Sequence, residues 1–91
     1  METRLLEYFL TVAKERNITK SAELLHITQP TLSRQLVQIE DIMGQQLLIR
    51  DKKGLQLTEA GIMLQRRPEE IISLMEQTER ELKEDEDQLV G

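Results

Sequence analysis

The stretch Ile27-Thr28-Gln29-Pro30-Thr31-Leu32-Ser33-Arg34-Gln35-Leu36 decides the fold. Thr28 is a helix N-cap signal, because its side-chain oxygen can accept from free N–H groups of the next turn. Pro30 falls in that first turn, where its missing N–H costs little. Leu32, Leu36, Ile39 and Met43 then recur at helical spacing on one face, and Gly44 suits the left-handed position after a helix end. A helix over 29–43 follows. Upstream, Thr19 reads as the N-cap of a short helix over about 20–25, with Ala22 and Leu25 inward and His26-Ile27 as a brief link. Two helices joined this tightly form a helix-turn-helix.

Working outward, Leu5, Leu6, Phe9, Leu10 and Ala13 mark an amphipathic helix over 3–15, which Asn17 breaks. After Gly44, Leu47-Leu48-Ile49 and Leu55-Gln56-Leu57 read as two short strands around the charged turn Asp51-Lys52-Lys53-Gly54, a hairpin that can serve as a wing. Thr58 caps a last helix with Glu59 near its positive end. That helix extends to about 88. Leu64, Pro68, Ile71, Met75, Thr78 and Leu82 form a heptad-like seam along it, from which Leu64, Ile71, Met75, Thr78 and Leu82 are read as dimerisation residues. Pro68 predicts a kink or a break near 64–68. The acids Glu84-Asp85-Glu86-Asp87 suit a helix C-terminus badly, so fraying is expected there. The expected organisation is a winged helix-turn-helix over 1–57, a linker helix over 58–88 and a frayed end at 89–91. The fold class is mainly α: three helices and a two-strand wing, then a long linker helix.

Composition removes several alternatives. The chain has 91 residues, no cysteine, one histidine, and 12 basic against 17 acidic residues. No thiolate metal site or disulfide framework can be assembled from these, and His26 cannot build a zinc site or a catalytic triad by itself. No paired carboxylates, nucleophile–base pair or glycine-rich phosphate loop stands out, so no enzyme and no cofactor are expected. No apolar run reaches the ~20 residues of a membrane span, and Met1-Glu2-Thr3-Arg4 opens no signal peptide. A cytoplasmic, nucleoid-associated protein is the expectation. The net charge of −5 is unevenly spread: residues 1–67 carry ten basic and eight acidic groups, residues 68–91 two and nine. Nucleic acid responds to local basic groups, so the total does not exclude it.

The first turns of helix 29–43 carry Gln29, Thr31, Ser33 and Arg34, with Gln38 one turn on. Arginine can fork onto guanine O6/N7, glutamine onto adenine N6/N7, and Ser or Thr can serve a base or a phosphate. Pro30 offers an apolar surface to a thymine methyl. Lys52 and Lys53 can reach phosphates from the wing, or be ordinary turn residues. Arg50 can lay its stem on the wing while its head seeks phosphate. Thr19 and Lys20 can contact phosphate at the start of the shorter helix. Thr28 reads first as a cap, though a cap can also touch phosphate. His26 stands where such turns often hold glycine and reads as structural.

Residues 1–64 resemble the N-terminal winged helix-turn-helix domain of LysR-type bacterial transcriptional regulators. The carrying residues are Leu5…Tyr8-Phe9…Val12-Ala13, Asn17-Ile18-Thr19-Lys20-Ser21-Ala22…Leu25, the stretch 27–36, Ile39-Glu40…Met43-Gly44, Leu47-Leu48-Ile49-Arg50 and Leu57-Thr58-Glu59-Ala60-Gly61. The resemblance implies a domain that reads double-stranded DNA as a homodimer, joined through the linker helix, on a dyad-symmetric site. It also implies an effector-binding domain that these residues do not include, hence no small-molecule effector site here. Three positions depart from the family pattern. Leu48 stands where Phe is common, Ser21 where Ala is common, and Pro68 where a small helix former is common. The competing reading is a helical dimerisation or protein-interaction module without DNA binding, supported by the acidic tail and the seam.

Overall fold

In the computed structural model, residues 3–90 are described, with side-chain surroundings for 3–84. The order is α1 (Thr3–Glu15), α2 (Ile18–Leu25), α3 (Gln29–Met43), β1 (Leu48–Asp51), β2 (Gly54–Leu57), α4 (Glu59–Arg66) and α5 (Pro68–Val90). The apolar stripe of α1 supplies Leu5, Leu6, Phe9, Val12 and Ala13 to the core. Ala22 from α2 and Leu32, Leu36 and Ile39 from α3 meet it, with Leu47 and Leu64 closing the far side. This is a winged helix-turn-helix. Its helices converge on α1, which supplies five of the eleven core residues among those described.

Helix ends follow local chemistry. Thr28 and Thr58 are extended N-caps, accepting from the backbone N–H of Thr31 and Gly61 respectively. Thr19 is not a cap. Asn17 takes that role: its Oδ1 accepts from the Lys20 N–H at 2.9 Å, α2 begins at Ile18, and Thr19 lies within the first turn. Asparagine at 17 both ends the first helical run and starts the second. Ser21, fully buried, donates from Oγ to the Asn17 carbonyl at 2.7 Å, so its hydroxyl adds a bond that alanine lacks. Helices α2 and α3 end alike. His26 and Gly44 are both left-handed, at φ +57° and +68°. The following N–H reaches back to close the turn, Ile27 to the Ala22 carbonyl at 3.0 Å and Gln45 to that of Glu40 at 3.3 Å.

The wing is a two-strand antiparallel hairpin pairing Leu48 with Leu57 and Asp51 with Gly54. Leu47 lies outside the strand and inside the core. The turn is tighter than the four residues expected: Lys52-Lys53 alone connect the strands, and Asp51 Oδ1 accepts from the Lys53 N–H at 2.8 Å. Gly61 allows α4 to lie directly on this region. A side chain there would run into the Leu47 carbonyl oxygen.

The expected long helix is two helices. Arg67 leaves helical geometry (φ −126°, ψ 40°) and Pro68 opens α5, as the restriction of the residue before proline requires. The Arg67 carbonyl accepts from Ile71 N–H at 3.0 Å, the first bond of the new helix. α5 then runs through Glu84-Asp85-Glu86-Asp87 to Val90. Of the segment 89–91, Gly91 lies outside the described residues. No helix among the described residues is long and apolar enough to cross a membrane.

Candidate nucleic-acid interface

The starts of α2 and α3 and the tip-side half of the wing converge on one face. A shallow recess there is lined by Ile18, Thr19, Gln29, Arg50, Asp51, Gly54 and Leu55. Three expected contact residues from three separate elements (Thr19, Gln29 and Arg50) thus share one surface feature. Gln29, Pro30, Arg34 and Gln38 are exposed along α3, with Thr31 and Ser33 half-buried between them. The caps order this end. Thr28 Oγ1 donates to Thr31 Oγ1 at 2.8 Å, and Arg34 Nη2 leans on the same Thr31 oxygen at 3.5 Å, the outer limit of a hydrogen bond. The guanidinium is therefore held loosely toward the helix start, with donors to spare.

The remaining basic residues are placed differently. Lys52 and Lys53 form the exposed tip of the wing and do not line the recess. Lys20 Nζ lies 3.4 Å from Glu15 Oε2, across the turn from α1. Lys20 is exposed and Glu15 half-buried, and a pair of this kind at the surface is worth only ~0–1 kcal/mol. Among the described residues no group of three or more His, Asp or Glu side chains is placed to hold a metal ion.

The sequence profile described as "Bacterial regulatory helix-turn-helix protein, lysR family" matches residues 3–62. The chain belongs to the lysR family. Among curated relatives, the HTH-type transcriptional regulator BsdA of Bacillus subtilis (strain 168) is 41% identical over 92 residues, covering 100% of this chain and 32% of its own length. The HTH-type transcriptional regulator CatR of Pseudomonas putida is 54% identical over 61 residues, 67% of this chain and 21% of its own. The chain thus spans a third or less of these lysR-family regulators. A solved structure described as a BenM_DBD/catB site 1 DNA complex superposes with a TM-score of 0.72 at 36% identity, covering 92% of this chain and 94% of that one.

Two residues of this lysR-family chain escaped the sequence reading. Val37, 55% exposed, lies one turn beyond Ser33 and Arg34 on the outer face of α3. Its signal was available: it falls off the core series 32, 36, 39, 43. Glu40 accepts from the wing root seven residues later, a pairing that no local pattern announces.

The expected seam on the linker divides. Leu64 is part of the domain core, Ile71 packs against that core, and Met75 is only 8% exposed within the single chain. These three face inward, because α4, which carries Leu64, and α5, which carries Ile71 and Met75, both lie on α1. Their apolar character is accounted for without a partner, which removes Leu64 from any outer seam. Thr78 is exposed and Leu82 is 63% exposed. Leu74, at 62%, joins them, so the outward stripe is Leu74, Thr78 and Leu82.

Proposed function

We propose that this chain is the operator-reading module of a LysR-type transcriptional regulator of the bacterial cytoplasm, binding double-stranded DNA as a homodimer. The observation that carries the reading is the shared recess of Thr19, Gln29 and Arg50, with the polar start of α3 beside it. In a major groove, Gln29, Ser33 and Arg34 meet base edges, while Pro30 and Val37 offer apolar contact to thymine methyls. Thr19, Lys20, Thr28, Thr31, Gln38, Arg50, Lys52 and Lys53 surround them and serve phosphates or fix register. The function is binding without chemistry. α5 packs on α1 and α4, and none of its acids among residues 68–84 lines the recess.

Dimerisation is assigned to the outward stripe of α5. An antiparallel pair centred on Thr78 sets Leu74 against Leu82′ twice, and it carries the two readers at opposite ends of the rods, as two half-sites require. A footprint of the purified chain on promoter DNA tests the whole reading. A protected dyad is expected, and protection no better than that by an unrelated acidic protein returns the protein-interaction reading.

A further inference from the structure

Glu40 projects from α3 two residues beyond Gln38, and one of its oxygens, Oε2, accepts from two successive backbone donors. The Leu47 N–H lies at 2.7 Å and the Leu48 N–H at 3.2 Å. Among the described residues no cation pairs with this carboxylate, so its role there is that of an acceptor. The same short segment is held from the other side by the start of α4. The Thr58 hydroxyl donates to the Gln46 carbonyl at 2.6 Å and the Thr58 N–H to the Leu47 carbonyl at 3.0 Å. Beyond this root Ile49 through Gly54 are exposed, while Leu55 and Leu57 of the second strand rest on the core, so the angle of the wing is set at its root and along that strand. Four residues of strand reach ~13 Å. A swing of about ten degrees at the root displaces the tip by ~2 Å, enough to carry an ammonium out of the ~2.7–2.9 Å range of a charge-assisted bond.

We propose that Glu40 is a positioning residue for DNA recognition: by tying the wing root to the recognition helix, it sets where Lys52 and Lys53 meet the phosphate backbone relative to the bases read from α3. The inference rests on the reading of α3 and the wing given above. It explains why an acid stands on a helix that approaches phosphates: a carboxylate is the stronger acceptor for two amides at once. It also separates reach from charge. Glu40→Gln keeps an oxygen at the same distance and loses the charge, whereas Glu40→Asp keeps the charge and withdraws the oxygen by one methylene.

The test is the salt dependence of binding of the 91-residue chain to its footprinted duplex, with Glu, Gln or Asp at position 40, each with and without Lys52→Ala and Lys53→Ala. With Glu40, removing both lysines is expected to flatten the slope of log affinity against log salt by ~1.8, at ~0.9 per phosphate contact. Glu40→Gln retains most of that change. Glu40→Asp loses more than half of it, while the affinity lost on Arg34→Ala stays the same within about twofold. Full retention of the lysine effect in Glu40→Asp overturns the proposal. So does a loss in Glu40→Gln with retention in Glu40→Asp, which makes Glu40 a charge and not a tether. A wild-type slope indifferent to both lysines fails the wing reading itself, and is recognised because Glu40 is then intact. A second measurement does not depend on DNA or on the aspartate variant. The sequence holds no cysteine, so spin labels at Asp41→Cys and Lys53→Cys report the wing angle directly. The distance distribution should be narrow with Glu or Gln at 40 and at least about twice as broad with Glu40→Ala. Equal widths overturn the proposal.

Discussion

Gly61 sits on a helix, where alanine would ordinarily gain about 1 kcal/mol. Here the added methyl meets the Leu47 carbonyl oxygen and presses on Leu57 Cδ2 at 3.3 Å. Forcing backbone apart costs about 1–3 kcal/mol, so the clash outweighs the propensity gain. Gly61→Ala is expected to lower the urea midpoint without changing the m-value. His26 has the opposite sign. It occupies left-handed space at φ +57°, where a side chain costs roughly 1–2 kcal/mol. His26→Gly should therefore raise the urea midpoint, by about 1 kcal/mol of stability after the entropy of the more flexible unfolded chain is subtracted. In the proposed function, Arg34 and Ser33 serve recognition instead. Arg34→Ala and Ser33→Ala should each leave the circular dichroism spectrum intact and cost ~1–3 kcal/mol of discrimination against random DNA. A parallel fall in specific and non-specific affinity would move Arg34 from a base to a phosphate.

At the scale of elements, Thr58 joins the wing to α4 and shows why a cap can matter beyond its own helix. Its Oγ1 accepts from the Gly61 N–H at 3.0 Å and donates to the Gln46 carbonyl at 2.6 Å. Thr58→Val removes both bonds at nearly constant volume and is expected to cost about 1–2 kcal/mol in denaturant unfolding, with Thr58→Ser restoring most of it. The helix limits of α1 and α3, the wing and this cap were legible in the sequence because each depends on residues within a turn or two of one another. Asn17 was misread because two capping residues stand two positions apart, and an apparent break in one helix was the start of the next. Leu64 was misplaced for a different reason. Heptad spacing shows that a face is apolar, but not whether the surface that covers it belongs to the same chain. Glu40 and the recess shared by Thr19, Gln29 and Arg50 depend on tertiary packing, which no periodicity encodes.

For the whole molecule, the outward stripe makes a specific test of assembly. Leu74 and Leu82 are more than 60% exposed in the single chain, so charging them leaves the core untouched. Leu74→Asp with Leu82→Asp should yield monomers by sedimentation while thermal unfolding of the domain is unchanged. Each leucine buried in a pair contributes ~1.5–3 kcal/mol, and four of them meet in the antiparallel arrangement. A variant that still sediments as a dimer at micromolar concentration would place the interface elsewhere. The same elongated body, 56 Å in its longest dimension, carries a net +2 on residues 1–67 and −7 on residues 68–91. Such a body is an electric dipole. In the field of a duplex it experiences a torque before it makes a contact: the reading end is drawn in and the acidic rod is turned outward. Wrong-way encounters are thus rejected at a distance, within the ~8 Å over which physiological salt lets charges act and further in dilute buffer.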